Sequence, residues 1–378
     1  MKKKLLLLFY RYPAERGEMA SFGQHLFYSV LSNHFEAKGL TFSNRDYSDE
    51  NMTEVKLQNN NIRKIINLIF KLRSSRLTHY FSKEFLKEYK KIIKDFNPDC
   101  VYVDHTFMMQ YPIRFMTNIK LILFNEESSI YINDKNLRNN LIEKIRNIRL
   151  HKFEKKAFDI SDTILTITDD EAHHLHSIGF KNTQNIPYGI DCEYFKPKLQ
   201  YNEDKLRILF VGGYRHYPNR EAIEIISQRI FPAFNETSGV EFIIVGRHCE
   251  KIRNKLNKNI LVYDNVADIR EFYNNADLFL APIFSGGGLR IKILEAAASG
   301  LPILMTPLAN LGIHLIHEKE ALISNNIQEM INYIKNISGK KNVINLKTLG
   351  TNARKKIEDN FDKKMIAKRI ENVFETYK

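Results

Sequence analysis

Short continuous runs of apolar residues alternate with amphipathic stretches along nearly the whole chain. Such runs are typical of strands that are buried on both faces of a parallel sheet, and the stretches between them have helical periodicity. Strands that alternate with helices form βαβ units with right-handed crossovers. The predicted strands are LLLLFY (5–10), CVYVD (100–104), LILF (121–124), TILTIT (163–168), RILFVG (207–212), EFIIVG (241–246), NILVYD (259–264), DLFLAPI (277–283) and PILMT (302–306).

The alternation is interrupted once, by the polar and aperiodic stretch GIDCEYFKPKLQYNEDKL (189–206). A chain of 378 residues is long enough for two domains, and polar linkers commonly separate them. We therefore place a boundary near Lys196–Asp204. This predicts an α/β protein with two Rossmann-like, doubly wound parallel-sheet domains facing across a cleft, at 1–195 and 196–360. The amphipathic stretch 361–378 predicts a last helix, which we interpret as crossing back to the N-terminal domain.

The segment FSGGGLRIKILEAAASGLPILMT (284–306) contains the strongest functional signal. A predicted strand runs into three glycines, Gly286 to Gly288, after which a helix begins. Gly300 and Pro302 then end that helix. Glycines at this point let the backbone approach a ligand closely, and the free N–H groups and dipole of the helix N-terminus favour an anion.

Two cations, Arg290 and Lys292, occupy the first turn of the same predicted helix. Positive charge is locally unfavourable there, because the helix N-terminus is itself positive. A bound diphosphate would balance this positive charge. The alternative interpretation, which needs no ligand, is a glycine-rich turn beside two surface cations. Glu295, one turn further on, is placed to accept hydrogen bonds from ribose hydroxyl groups.

These residues resemble a known family. GGGLRIKILEAAASGLPIL (286–304) is similar to the donor-binding signature of retaining GT-B glycosyltransferases of family 4 (group 1 glycosyltransferases), in the subgroup with the motif G-G-G-x-R-x-K-x-L-E-A. Three further segments match that subgroup in order: VGGYRHYPNREAI (211–223), FIIVGRH (242–248) and VADIREFYNNADLFLAPI (266–283). The resemblance is strong after about residue 150 and loose before it.

The resemblance implies the GT-B fold and transfer of a sugar with retention of anomeric configuration, from a UDP- or GDP-sugar to a saccharide or lipid-linked acceptor. A role in surface polysaccharide or glycan biosynthesis is expected by analogy. Catalytic roles are implied for His105, Arg290, Lys292 and Glu295. Donor-binding roles are assigned to Gly17, Gly213, Arg215, Val266, Gly287, Gly288 and Leu289. We expect no required cofactor besides the donor substrate.

The chain departs from the wider family at two points. Many members carry two glutamates eight residues apart; Glu295 matches the second, but Gly287 occupies the position of the first. The sugar contacts then fall to backbone N–H groups of Gly288, Leu289 and Arg290. The Arg and Lys that usually follow the first C-terminal strand are also altered, since Arg215 stands in for the Arg and Pro218 lies near the place of the Lys.

Metal chemistry is not expected. The sequence has no Asp-x-Asp motif, and its three cysteines are far apart without metal-ligand spacing, as in proteins of reducing compartments. The cluster TDDEAHHLH (168–176) invites a metal interpretation, but acidic residues in the first turn of a helix are ordinary. We therefore predict no metal site, with fixed cations and a helix dipole stabilising the leaving diphosphate instead.

A formal net charge of +13 leaves partners other than a nucleotide open. The segment 56–94 holds 11 basic and 2 acidic residues, and NIRKIINLIFKLRSSRL (61–77) reads either as a helix on an anionic membrane or as one packed on the sheet. We expect a cytoplasmic protein that begins with a buried strand rather than a signal peptide, with peripheral contact at the inner membrane face as one alternative. Nucleic acid is not expected, because no recognition motif is present. A GT-B sugar-nucleotide epimerase and a basic nucleic-acid-binding protein are the alternative functions.

Overall fold

The computed structural model describes residues 2–14, 19–43, 49–57, 74–115, 117–126, 141–197, 205–234, 239–339 and 345–378. The chain divides into two compact units: Met1–Pro187 with Ile366–Lys378, and Tyr188–Met365. All nine strands predicted from the apolar runs are present. Each unit is an α/β domain with a parallel sheet, which confirms the predicted fold class.

The first unit contains a sheet of seven parallel strands among its described residues, in the order β3-β2-β1-β4-β5-β6-β7. Its central strands are buried on both faces, and Leu5 to Leu8 of β1 are fully buried. The strands are β1 (Lys4–Phe9), β2 (Glu36–Phe42), β3 (Met52–Val55), β4 (Cys100–Asp104), β5 (Lys120–Asn125), β6 (Thr163–Thr166) and β7 (Thr183–Asn185). The helices are α1 (Met19–His34), α2 (Ser75–His79), α3 (Lys83–Phe96), α4 (Leu141–Asp159) and α5 (Asp169–Ser177).

The second unit repeats this plan with six parallel strands in its described part, in the order β10-β9-β8-β11-β12-β13. The strands are β8 (Leu206–Val211), β9 (Val240–Val245), β10 (Ile260–Tyr263), β11 (Leu278–Ala281), β12 (Ile303–Met305) and β13 (Leu322–Ile323). The helices are α6 (Tyr217–Ile225), α7 (Arg270–Asn275), α8 (Ile291–Ala298), α9 (Ile327–Ser338) and α10 (Leu346–Phe361). A π-helical turn (Ile226–Ile230) extends α6.

The last helix, α11 (Lys363–Glu375), belongs to the first unit from Ile366 onward. Its buried Phe374 lies against Tyr102 of β4, with 6.2 Å between ring centroids. Tyr377, just after the helix, shares a 2.6 Å hydrogen bond between hydroxyl groups with Thr163 of β6. The C-terminal segment therefore completes the core of the first unit.

The strand orders indicate where a ligand site is expected in each unit. In the first sheet the direction of winding reverses between β1 and β4, and in the second it reverses between β8 and β11. In sheets of this kind, ligands bind in the crevice outside the carboxyl ends of the two strands at the reversal. The loops that follow β1, β4, β8 and β11 are therefore the places to search.

Candidate functional site

In the second unit, both strands at the reversal are followed by glycine-containing loops. β8 leads into Gly212 and Gly213, and β11 leads through Pro282–Ser285 into Gly286, Gly287 and Gly288. We call residues 284–290 the glycine loop. It ends where α8 begins, so it places the helix N-terminus beside the carboxyl end of β8.

The glycine loop requires glycine at two positions. Gly286 has φ 84° and Gly288 has φ 76°, in the region that side chains other than glycine avoid. A Cβ atom at Gly286 would also lie 2.8 Å from Cγ of Pro218. The loop backbone therefore packs directly on the start of α6.

Arg290 occupies the N-cap position of α8 and is 8% exposed. Its guanidinium donates hydrogen bonds to the carbonyl oxygens of Gly287, of Gly288 at 3.3 Å and of Ser285 at 3.3 Å. The side chain thus folds back on its own loop and holds it in shape, while its charge stays at the helix N-terminus.

Lys292 reaches from the first turn of α8 to the loop after β8. Its Nζ donates a hydrogen bond to Oδ1 of Asn219 and lies 4.8 Å from the centroid of the Phe210 ring. Asn219 in turn donates its amide to the carbonyl oxygen of Gly213 at 3.1 Å. Burial, and then the neighbouring charge of Arg290, lower the pKa of Lys292 to about 7.

Gly212 lies directly against this pair. A Cβ atom there would be 2.8 Å from Nζ of Lys292 and 2.7 Å from Cγ of Asn219. At Gly213 the nearest atom to such a Cβ would be the Arg247 carbonyl oxygen, at 3.5 Å, which is an ordinary contact. Gly212, rather than Gly213, therefore makes room for Lys292 and Asn219.

Glu295 is 7% exposed and accepts a 2.7 Å hydrogen bond at Oε2 from the hydroxyl group of Tyr273, on α7. Burial raises the pKa of Glu295 to about 7, against the opposing effects of the Tyr273 hydrogen bond and the Lys292 charge. Arg290, Lys292 and Glu295 are thus gathered around the start of α8. Titratable groups with strongly shifted pKa values in a crevice are typical of functional sites.

The other predicted donor-binding residues are less closely gathered. Arg215 is exposed on the loop after β8, and Val266 is half-buried in the segment between β10 and α7. Gly287 and Gly288 are half-buried in the glycine loop, and Leu289 is buried at its end. Gly17 lies outside the residues that the structure describes.

In the first unit, His105 directly follows β4 at the reversal of winding. Its φ of 77° is an unusual and strained backbone conformation for a side chain other than glycine. The imidazole ring is held against Phe107, at 4.0 Å between ring centroids, and meets Tyr10 edge-on at 5.8 Å. Strain retained at the carboxyl end of a central strand is consistent with a functional position.

Polar residues end β4 and the neighbouring strand β5. Asp104 is fully buried and accepts a hydrogen bond from Gln24; burial, and next the charge of Glu126, raise its pKa well above the usual range. At the end of β5, Asn125 donates a 2.8 Å hydrogen bond to Glu171 of α5. The carboxyl edge of the first sheet therefore carries buried acidic side chains.

The segment 168–176 forms the start of α5. Thr168 is the N-cap and accepts from the backbone N–H of Glu171 at 3.3 Å, and the acidic residues occupy the first turn. His176 pairs with the carbonyl oxygen of Thr183 at 2.9 Å. The predicted helix therefore begins at Asp169, with acidic residues in its first turn.

The basic segment 56–94 is described only in part, because residues 58–73 lie outside the described chain. Of the part that is described, α3 buries Phe85, Tyr89, Ile92, Ile93 and Phe96. That helix packs its apolar face in the first unit. In the described part of the chain, no helix combines the length and the apolar character needed to cross a membrane.

Sequence reasoning missed three residues of the second site. Gly212 and Asn219 lie within the quoted segment VGGYRHYPNREAI, but their contacts with Lys292 depend on packing across two loops. Tyr273 is an apparently ordinary residue of a short helix, and no sequence signal marks it as the partner of Glu295.

Comparison with known proteins identifies this part of the chain. Residues 205–339 match the family model described as "Glycosyl transferases group 1". The matched segment runs from β8 to α9 of the second unit. A Klebsiella pneumoniae protein described as a 44.6 kDa protein in the cps region is 26% identical in an alignment of 260 residues, with 65% of this chain and 62% of that protein covered.

Solved structures share the fold of the whole chain. Sucrose-phosphate synthase (tll1590) from Thermosynechococcus elongatus has a TM-score of 0.76 at 16% identity, covering 100% of this chain and 99% of that one. Anabaena Alr3699/HepE in complex with UDP-glucose has a TM-score of 0.68 at 13% identity, covering 99% of each chain. WaaG, a glycosyltransferase involved in lipopolysaccharide biosynthesis, has a TM-score of 0.70 at 14% identity, covering 98% of this chain and 99% of that one. The chain thus has the GT-B fold.

Proposed function

We propose that the protein is a retaining, metal-independent glycosyltransferase that moves a sugar from a nucleotide-sugar donor to a saccharide or lipid-linked acceptor, in the synthesis of a surface polysaccharide or glycan. The observation that carries the proposal is the cluster of Lys292, Glu295 and the glycine loop at the start of α8, where the winding of the second sheet reverses. A crevice at this point, with a helix N-terminus and cations, suits a diphosphate.

The nucleotide is assigned to the second unit on the same grounds. The diphosphate lies over the glycine loop at the N-terminus of α8, where Lys292 supplies a cation held by Asn219. Arg290 contributes its positive charge from within the loop, since its guanidinium is engaged with loop carbonyl oxygens. Glu295 accepts hydrogen bonds from the ribose at the carboxylate oxygen that Tyr273 leaves open. A similar fold is known in complex with UDP-glucose, which favours a UDP-sugar as the first donor to test.

The sugar and acceptor are assigned less directly. Because Gly287 replaces an acidic side chain, the donor sugar is held by backbone N–H groups of Gly288, Leu289 and Arg290. The strained His105 of the first unit, with the buried acidic side chains at the same edge of the sheet, is assigned to the donor sugar or the acceptor. Peripheral membrane contact through 56–94 is the corresponding proposal for a lipid-linked acceptor.

The reaction proposed for this site breaks the bond between the anomeric carbon and the diphosphate oxygen. The acceptor hydroxyl oxygen forms the new glycosidic bond on the same face of the sugar, and its proton passes to the leaving phosphate oxygen. The electron pair of the broken bond leaves on the nucleoside diphosphate, whose charge is stabilised by Lys292, Arg290 and the α8 dipole. No redox step or further co-reactant is required.

The test is donor binding by the full chain with EDTA present. UDP-, GDP- and dTDP-sugars are screened by thermal shift, and nucleotide release is measured with and without a mixture of saccharide acceptors. We expect stabilisation by one donor class, lost in Lys292→Met and Glu295→Gln but kept in the exposed control Lys335→Met. The anomeric configuration of the product, read by NMR, tests retention.

Three outcomes would contradict the proposal. Loss of activity in EDTA that is restored by a divalent cation would contradict metal independence. Conversion of the nucleotide sugar to its epimer without an acceptor would favour the epimerase alternative. Salt-sensitive binding to nucleic acid, with no response to any donor, would remove the transferase assignment altogether.

A further inference from the structure

A second concave site lies beside the glycine loop in the second unit. Its volume is about 510 Å³, and its walls include Glu221, Arg229, Phe284, Asn325 and Asn326. Apart from Phe284, the first residue of the glycine loop, these residues lie outside the cluster around Lys292 and Glu295. The site opens between α6 with its π-helical extension, the first residue of the glycine loop and the start of α9.

Within the described part of the chain, polar groups in this cavity have hydrogen-bond donors and acceptors that are not used by other residues. Glu221 accepts a 2.6 Å hydrogen bond at Oε2 from Ser285, which leaves Oε1 as an acceptor. Asn326 uses its Oδ1 to cap α9, accepting from the backbone N–H of Gln328 at 2.8 Å, so its NH₂ group remains as a donor. Arg229 makes no ion pair with any residue that the structure describes.

One wall of the cavity is aromatic. Phe284 is 37% exposed, although it directly precedes Ser285 and the loop glycines. Its ring therefore presents an apolar surface beside the polar side chains of the cavity. The same wall carries a π-helical turn, Ile226–Ile230, which contains Arg229. Such turns are rare and occur frequently at functional sites.

The chemistry of these groups indicates which class of ligand the cavity can bind. Planar amide, carboxylate and guanidinium groups donate and accept hydrogen bonds in pairs. The charges of Glu221 and Arg229 cancel, so neither an anion nor a cation is favoured. An apolar ligand would leave the polar groups without hydrogen-bond partners, and each unpaired group would weaken binding. A neutral ring with several hydroxyl groups and one apolar face satisfies all of them.

We infer that this cavity, hereafter the Phe284 pocket, binds a neutral hexopyranose. The apolar face of the sugar packs on Phe284, and its hydroxyl groups pair with Glu221, Arg229 and Asn326. The inference goes beyond the proposed function, because it concerns a saccharide and not the nucleotide, and it stands whether or not the chain transfers a sugar. Since Phe284 and Ser285 lead directly into Gly286, an occupied pocket also supports the glycine loop.

The experiment is saturation-transfer difference NMR on the full chain, with the methyl α-glycosides of glucose, galactose and mannose as separate probes. We expect ring-proton signals from at least one glycoside, reduced at least fivefold in Phe284→Ala and in Arg229→Met. Arg229 is exposed, so its variant keeps the test valid if Phe284→Ala does not fold. Tyr263→Ala, at a 40% exposed aromatic residue on β10, is the matched control and should keep the signal.

Either of two results would overturn the inference. One is the absence of signal from all three glycosides with the folded wild-type chain. The other is a signal that survives in both pocket variants, which would place the sugar elsewhere. UDP binding, measured separately, reports on the proposed function alone. A chain that binds a glycoside but no nucleotide would keep the Phe284 pocket and lose the transferase assignment.

Discussion

Replacement of Tyr273 by Phe removes one hydroxyl group and leaves the ring in place. That hydroxyl donates the 2.7 Å hydrogen bond to Oε2 of the buried Glu295, and it favours the ionised carboxylate. A hydrogen bond to a charged group contributes about 1.5–3 kcal/mol. Because about 1.4 kcal/mol corresponds to one pKa unit, its loss should raise the pKa of Glu295 by roughly 1 to 2 units.

The consequence for binding follows from the fraction of Glu295 that is ionised. With its pKa at about 7, roughly three quarters of the carboxyl groups are ionised at pH 7.5 in the wild type. A pKa raised by roughly 1 to 2 units lowers that fraction to about one quarter or to a few per cent. If the ribose binds the carboxylate, the affinity for UDP at pH 7.5 should fall roughly 3- to 25-fold.

The assay is isothermal titration of UDP against wild type and Tyr273→Phe between pH 5.5 and 9.5. The acid limb of the affinity profile should move to higher pH in the variant. The alkaline limb, which we assign to Lys292, should move to lower pH, because the Glu295 charge helps to keep Lys292 protonated. Titration of UDP itself is common to both proteins and cancels in the comparison. Tyr89→Phe, at a buried tyrosine of the first unit, is the control. An unmoved acid limb in a folded variant would refute the proposed coupling of Tyr273 to Glu295.

Three further predictions concern the second unit. Gly212→Ala should abolish UDP binding by displacing Lys292, whereas Gly213→Ala should retain most of it; equal losses in titration calorimetry would contradict the assigned contact. At pH 8 Lys292 is mostly neutral, so UDP should bind with uptake of about one proton. Calorimetry in buffers of different ionisation enthalpy measures this uptake, which should be absent in Lys292→Met. Gly350→Ala should lower the thermal midpoint by several degrees, because its Cβ would lie 2.1 Å from the Gly300 carbonyl oxygen; an unchanged midpoint would show that α10 shifts freely.

The fold could be predicted from the sequence wherever a strand is buried on both faces. The run LLLLFY and the similar runs can be recognised as strands without knowing which strands pair with them, because a central parallel strand requires continuous apolar residues. The sequence analysis did not find β2, β3, β7 and β13. Three of these are only two to four residues long, and β2 contains Gly39, whose missing side chain makes room for Met52. Short or glycine-containing strands leave too weak a pattern.

Only those features of the candidate site that depend on residues adjacent in the chain could be predicted from the sequence. Positive φ at Gly286 and Gly288, and the position of Lys292 in the first turn of α8, follow from residues adjacent in the chain. The engagement of Arg290 with loop carbonyl oxygens, and the pairing of Tyr273 with Glu295, depend on which surfaces meet after folding. Residue type and spacing identify a charged group, whereas its partner is decided by packing.

The two shifted groups at the start of α8 make the site least stable near neutral pH. The folded pKa of Glu295 is raised, so its contribution to stability is present below its usual pKa of 4.5 and is lost as the pH rises to about 7. The folded pKa of Lys292 is lowered, so its contribution is present above 10.5 and is lost as the pH falls to about 7. Both penalties arise from burial of a charge that lacks a full partner. A nucleoside diphosphate supplies the anion for Lys292 and hydroxyl groups for Glu295. Its binding therefore removes both penalties, and the free energy that is recovered contributes to the affinity for the ligand.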